Sequence, residues 1–340
     1  MHGRSAWRWG DALMFGRRKD NILVIKTDTL TGFVAAEPVF SVIRDKHKNA
    51  KISLLTTNAL QRIARAAPYF DQVAAAPDMR HVEERKAFIK QLKSADFAAV
   101  YDLSADQNAR KIQSAFGPFG PKWFAAAPVA RKVKNPTLAE MLPNTDKLLS
   151  SAGVEAPSRK PDFTWALTAR KDAANMQPSW FGITGSFCIL APGLDQERRW
   201  PAKCYGEFAR LSASAGVTPV LVGSNELHVF GDEVCQFAPE IVDLTGKTDH
   251  LQLAALAREA DFFVSDCAEE VHLAVSVGCS GVLIRRAGDE NATPDPRHVV
   301  TLTVKSQFKE ATPDFVWQSL SNMGLVSTKT SKRRKRWGSR

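Results

Sequence analysis

Short apolar runs recur along the chain, each followed by a polar or glycine-containing turn and then by a stretch with helical spacing. Residues 22–26 (ILVIK) form the first run and read as a buried strand. A Thr/Gly-rich turn and a helix over 33–46 follow. Residues 51–56 (KISLLT) are the next strand, with a helix over 58–66. A strand over 97–101 (FAAVY) leads to a helix over 106–116, then a strand over 122–127 and a helix over 137–152. Alternation of this kind specifies a parallel sheet covered by helices.

Residues 155–172 carry Pro157, Pro161 and several charges on a weak periodicity, which marks a junction. The alternation then restarts. Strands are expected at 187–191, 217–222, 240–244, 261–265 and 280–285. Helices are expected from 202, from 226, and over 249–258, 269–277 and 312–322. The predicted fold class is therefore α/β, with two Rossmann-like doubly wound parallel-sheet domains at 20–160 and 170–325. Ligands of such sheets bind outside the carboxyl ends of the strands, so two such domains are expected to face each other across a cleft. A chain of 340 residues is of the right length for two domains.

Charge divides the chain differently. The net charge is +10. Residues 1–19 hold Arg4, Arg8, Arg17, Arg18 and Lys19 against Asp11, a net +4, and residues 329–340 hold seven cations and no acid. The body between them is left at −1. This excludes a nucleic-acid enzyme with a basic groove built into its fold. It suits two basic tails that adhere to an anionic surface. Trp7, Trp9, Leu13, Met14, Phe15 and Trp337 lie among those charges, and such residues sit well at a lipid interface. A solvated tail, or nonspecific nucleic-acid contact, is the plainer alternative. No apolar run is long enough to span a bilayer, and no secretory signal is evident. The five cysteines, Cys188, Cys204, Cys235, Cys267 and Cys279, include no CxxC pair. That points to a reducing cytoplasm.

The chemical motifs are diffuse. Gly246-Lys247-Thr248 lacks the Gly that a P-loop needs at 241, where Ile241 stands. No GxGxxG or GxSxG occurs, and His272 has no second His or Cys at metal-ligand spacing on its helix. No metal or cofactor is expected. Polar groups after strand ends remain. Gly193 permits close backbone approach, while Arg198 and Arg199 are cations suited to a diphosphate. Ser224 or Asn225 is placed to cap a helix and Glu226 to accept hydrogen bonds from a ribose or base. Asp266, Glu269 and His272 lie where a helix N-terminus favours phosphate, although Asp266, Glu269 and Glu270 would repel it unless protonated or turned away. For each, a capped helix, a surface loop or a buried core histidine is the structural alternative.

In order along the chain, these pieces resemble glycosyltransferase family 9, the heptosyltransferases of lipopolysaccharide assembly. The likeness runs over roughly residues 21–305. Lys26 to Val34 with Pro38 is similar to the family's opening strand, Leu-Gly-Asp turn and Pro-containing helix. Residues 68–71 (PYFD) are similar to its "PyvDev" segment, and Pro192 to Pro201 to its "PG…KRWP" loop. Leu244 to Thr248 is similar to "L-x-GKTsL", and Val264 to Ala274 to "NDTGpmHLA".

The resemblance implies a GT-B fold and inverting, metal-independent transfer from a nucleotide sugar, usually ADP-heptose, to a glycolipid or saccharide acceptor. It places Gly193, Arg198, Arg199, Ser224, Glu226, Asp266, Glu269 and His272 on the donor side and Arg80 at an acceptor-binding position. The basic tails suit a cytoplasmic protein held peripherally at the inner membrane face. Two departures stand out. The family's catalytic Asp falls on Gly32, so the expected base is Asp28, four residues earlier. The family's Asp-Thr-Gly falls on Cys267, Ala268 and Glu269, which removes a glycine and adds an acid. A different class of function is therefore also open: a family-9-like protein that has lost catalysis and serves as a membrane-surface binding or scaffold component.

Overall fold

A computed structural model describes residues 21–126, 145–168, 174–266, 268–287, 294–305 and 310–327. Both basic tails, residues 137–144 of one expected helix, and Cys267 lie outside the described residues. The chain divides into two compact units, the first ending at Ala173 and the second beginning at Ala174, with Asp249–Leu251 grouped with the first.

The first unit is a five-stranded parallel sheet, β3-β2-β1-β4-β5, built from β1 (Asn21–Ile25), β2 (Lys51–Thr56), β3 (Gln72–Ala75), β4 (Phe97–Asp102) and β5 (Lys122–Ala125). Its helices are α1 (Leu30–Lys46), α2 (Gln61–Ala66), α3 (Val82–Ser94), α4 (Gln107–Phe116) and α5 (Asp146–Ser151). Ile22, Leu23, Val24 and Ile25 are all at most 1% exposed, as expected for a strand covered on both faces. Leu23 and Ile25 pack with Leu55, Phe88, Leu92, Val100 and Ile112 in one layer. Lys26 follows the strand rather than ending it, so the first expected strand ends one residue early.

The second unit is a six-stranded parallel sheet, β11-β10-β9-β6-β7-β8. Its strands are β6 (Phe187–Ala191), β7 (Thr218–Leu221), β8 (Val242–Asp243), β9 (Phe262–Ser265), β10 (Gly281–Arg286) and β11 (Val299–Val304). Its helices are α6 (Ala202–Ser214), α7 (His228–Phe237), α8 (His250–Glu259), α9 (Ala268–Ser276) and α10 (Pro313–Asn322). Trp200, Tyr205 and Phe208 are fully buried in its core beside Leu190, Leu221 and Val264. The Trp200 ring meets Tyr205 edge-on at 5.0 Å, and its Nε1 donates to the Ala311 carbonyl at 2.8 Å.

Four elements depart from the sequence expectation. β3 and α3 were not expected. QVAA is barely apolar, and α3 buries only Phe88 and Leu92 among its many charges, so neither carries a strong periodic signal. β11 is also additional; as an edge strand it leaves Val300, Thr301 and Leu302 half-buried and so shows no continuous apolar run. The expected strand 240–244 shrinks to two residues, because β8 pairs only with β7, through Val220↔Val242 and Leu221↔Asp243.

The segment after α5 is held to α1 by one buried acid. Glu37 is fully buried and accepts from both Arg159 Nη atoms at 2.7 Å and from Asp162 N at 3.1 Å. The Tyr69 hydroxyl also donates to it. A buried carboxylate needs such partners. Pro38 next to it removes one helical donor from α1.

Candidate functional site

Each sheet reverses its strand order once, between β1 and β4 in the first unit and between β6 and β9 in the second. These reversals are where doubly wound sheets bind ligands. Beside them lie Asp28 in the first unit and Gly193, Arg198, Arg199, Asp266, Glu269 and His272 in the second, whereas Arg80, Ser224 and Glu226 follow other strands.

In the first unit the chain leaves β1 through Lys26-Thr27-Asp28-Thr29. Lys26 is completely buried; its Nζ donates to Asp28 Oδ2 at 2.8 Å and to the Leu103 carbonyl at 3.1 Å. An ammonium cannot stand in the interior unpaired, so Asp28 is held where Lys26 needs it. Thr27 straps this loop to the loop after β4: its N–H donates to Ser104 Oγ at 2.7 Å and its Oγ1 to Asp106 Oδ2 at 2.9 Å. Asp106 in turn caps α4 by accepting from Ala109 N at 2.7 Å. Thr29 caps α1, accepting from Gly32 N at 3.2 Å.

The Asp28 carboxylate therefore lies over the first turn of α1, where the helix dipole favours an anion. Its side chain is 31% exposed, yet its Oδ1 is buried and makes no hydrogen bond among the described residues. A Cβ on Gly32 would stand 2.4 Å from Asp28 Oδ2 and 2.9 Å from Oδ1. Residue 32 can carry no side chain while Asp28 is in place. Nearby, Asp102 is buried and accepts from Ser104 N and Ala105 N at 3.1 Å each. Burial raises its carboxyl above the usual range, with Asp106 adding to the rise and those two N–H groups and Lys26 opposing it.

Arg80 lies in the loop after β3, at the same sheet edge but two strands from β1. Its side chain is exposed and fastened to Asp78, with Nε at 3.0 Å from both carboxylate oxygens and Nη2 at 2.7 Å from Oδ2. The fold does not gather it with Asp28.

In the second unit the loop Pro192–Pro201 leaves β6 and is pinned by Asp266, just after β9. Gly193 N donates to Asp266 Oδ1 at 2.5 Å, Trp200 N to Oδ2 at 2.5 Å, and Tyr205 Oη to Oδ2 at 3.1 Å. Burial pushes the Asp266 carboxyl up to about 7, against the pull of those hydrogen bonds and Arg199. Both oxygens are occupied by protein donors. Asp266, expected on the donor-contact side, is thus a positioning residue for the loop. Arg199 is likewise internal to it: its Nη1 donates to the Gly193 carbonyl at 3.3 Å and its guanidinium stacks 3.9 Å over the Phe230 ring. Arg198 is half-exposed and forms an ion pair with Asp195 at 3.4 Å.

Ser224 and Glu226 are exposed in the short turn between β7 and α7, where Ser224 makes no capping side-chain bond. That turn abuts the turn after β8. Gly246 N donates to the Gly223 carbonyl at 2.8 Å, and a Cβ on Gly246 (φ +69°) would lie 2.8 Å from Asn225 Oδ1. Lys247 is folded onto the Asp243 carbonyl at 2.8 Å, consistent with the absence of a P-loop. Glu269 lies in the first turn of α9, and His272 is 4% exposed within that helix.

The sequence reading missed Lys26, Thr27, Ser104 and Asp106. The available signal was a lysine closing an otherwise apolar run, since a charge at that position must find a partner.

Comparison with known proteins settles the lineage. The model of glycosyltransferase family 9 (heptosyltransferase) matches residues 85–322, more than half of the chain. The chain belongs to glycosyltransferase family 9. Solved structures agree in fold. E. coli ADP-heptose LPS heptosyltransferase II is 16% identical with a TM-score of 0.71, covering 89% of this chain and 98% of its own. A family 9 glycosyltransferase from Veillonella parvula is 15% identical with a TM-score of 0.69, covering 89% and 97%. E. coli heptosyltransferase WaaC with ADP-2-deoxy-2-fluoro heptose is 14% identical with a TM-score of 0.70, covering 89% and 99%. The fold is GT-B, as these neighbours have it. No curated protein matches the chain. The family match begins at residue 85 and so does not reach the β1–α1 loop that holds Asp28 and Gly32.

Proposed function

We propose that this family 9 protein transfers a heptose-like sugar from a nucleotide diphosphate sugar to a lipopolysaccharide-core or other cell-envelope glycan, with inversion and without a metal. The observation that carries the reading is the carboxylate over the first turn of α1. The volume that a side chain at 32 would fill is filled by Asp28, so the loss of the family acid at 32 is matched by an acid supplied from four residues away.

In this mechanism the acceptor hydroxyl attacks the anomeric carbon while its proton passes to Asp28. The bond from that carbon to the diphosphate oxygen breaks, and the nucleoside diphosphate departs with the bonding pair. Lys26, bonded to Oδ2, holds the partly exposed carboxylate in place to take that proton. In the second unit the half-exposed Arg198 stabilises the leaving charge. Gly193, Arg199 and Asp266 fix the loop that presents it, and Ser224 and Glu226 contact the nucleoside. The solved relatives carrying ADP and an ADP-heptose analogue favour an ADP sugar as donor.

The tails, with their net +4 and +7, support a peripheral position at an anionic inner membrane face. No described helix is long and apolar enough to cross a membrane. Liposome co-sedimentation of the chain with and without residues 1–19 and 329–340 checks this. Equal pelleting with acidic lipids rejects it.

A second reading, a binding or scaffold protein without turnover, draws on Glu269 and Glu270 in the first turn of α9, where acids oppose a phosphate. Calorimetry with ADP, UDP, GDP and ADP-heptose separates the two. The transferase reading expects saturable ADP-heptose binding, weakened in Arg198→Ala and followed by turnover. Binding without turnover selects the scaffold, and no nucleotide binding rejects both.

A further inference from the structure

A group of potential ligands stands on α7 and the end of β8 that the transfer mechanism does not use. One ligand atom each from His228, Asp232 and Asp243 lies within 4.8 Å of the other two. Donor atoms bound to one first-row divalent ion at about 2.1 Å stand roughly 3–4 Å apart, so small side-chain rotations close the set. His228 and Asp232 are four residues apart on α7 and share one face.

The approach of β8 to that face depends on Gly231. A Cβ there would lie 3.1 Å from Thr245 Oγ1 and 3.4 Å from Asp243 Oδ1. Asp243 is already oriented, because its Oδ1 accepts from Thr245 N at 2.9 Å and Thr245 Oγ1 at 2.8 Å. Outer contacts of this kind fix a ligating carboxylate. Lys247 donates to the Asp243 backbone carbonyl rather than to its carboxylate. The His228 and Asp232 side chains are exposed.

We propose that His228, Asp232 and Asp243 bind a first-row divalent cation of borderline softness, such as zinc or cobalt, that pins the start of α7 to the turn after β8. One imidazole with two carboxylates suits these ions better than calcium or magnesium, which favour all-oxygen sets. The cation would brace the Leu244–Thr248 turn, which in turn supports the Ser224–Glu226 turn through Gly246. The site stands independently of the transferase reading.

The test is titration of chelator-treated, untagged full-length protein with Co²⁺, followed by visible absorption and calorimetry. The expected result is saturation at one equivalent, displaced by Zn²⁺ and unaffected by excess Mg²⁺. His228→Ala and Asp232→Asn each weaken it by at least about tenfold, as loss of one ligand from three implies. Both residues are exposed, so the variants fold. His81→Ala, which removes an exposed histidine from the first unit, leaves binding unchanged. Failure to saturate at micromolar Co²⁺, or binding that survives the His228→Ala/Asp232→Asn double substitution, overturns the site.

Discussion

The two sheet edges solve one structural problem with opposite charge arrangements. In each unit the loop after the first strand is tied to the loop across the strand-order reversal. In the first unit a Thr27 hydroxyl and N–H reach Ser104 and Asp106, and a buried cation, Lys26, anchors the acid Asp28. In the second unit the tie is an acid, Asp266, saturated by Gly193 N, Trp200 N and Tyr205 Oη. Among the described residues the first arrangement leaves Asp28 Oδ1 without a hydrogen bond, whereas both Asp266 oxygens have donors. The two acids stand on opposite sides of the reversal, Asp28 after the first strand of its unit and Asp266 after the fourth strand of its own, and are suited to different work, proton transfer in one case and loop positioning in the other.

The strongest way to break this contrast is to remove Asp28 outright. Asp28→Ala strands the fully buried Lys26 ammonium, and denaturant unfolding should show a loss of about 3 kcal/mol. Adding Lys26→Met should restore most of it. Stability unchanged in Asp28→Ala would mean that the pair does not organise the loop.

Next in size is the exclusion between positions 28 and 32. Gly32→Asp alone forces a Cβ to within 2.4 Å of the Asp28 carboxylate, and turnover should fall by roughly 10²-fold. Asp28→Ser combined with Gly32→Asp restores a single acid over the helix and should recover much of that loss. A double variant no better than the single one would show that the two positions do not share one role.

For the second edge, Asp266→Asn places an amide N–H against an N–H donor and should cost about 1–3 kcal/mol. It should also remove a pH dependence. The folded carboxyl is raised from 3.8 to about 7, so the folded state holds the extra proton between those values. Its contribution is therefore full below about 4 and lost as pH rises through about 7. Unfolding measured from pH 4 to 8 should show wild-type stability declining across this window and the Asn variant lacking that component.

The smallest effect is expected at Arg198. It is half-exposed, with one ion pair, so Arg198→Ala should leave the melting temperature nearly unchanged and weaken nucleotide binding about tenfold, near 1.4 kcal/mol. A large stability loss there would place Arg198 in the fold rather than at the ligand.

The fold was legible where apolar runs are continuous. β1, β2, β4, β6, β7, β9 and β10 announce themselves because a strand covered on both faces must be apolar throughout. β3, α3 and β11 escape because edge strands and a helix with a narrow buried stripe carry little periodic signal. At the site, Asp28 is legible as an acid just past the first apolar run, four residues before Gly32. Its partner Lys26 reads as the last residue of the strand, since sequence alone does not show that the lysine is fully buried. The roles of Asp266 and Arg199 were equally hidden. Whether an acid meets a ligand or three of its own N–H and O–H groups depends on tertiary contacts across 61 to 73 residues of chain.

The most direct test is single-turnover transfer from ADP-heptose to a deacylated lipopolysaccharide core, comparing the natural chain with Asp28→Asn, which keeps an oxygen for Lys26. The expected result is a transfer rate reduced by roughly 10²-fold or more, with ADP affinity and melting temperature preserved. Transfer at the natural rate in Asp28→Asn, or none from the natural chain despite bound donor and acceptor, would contradict the assignment of Asp28 as the base.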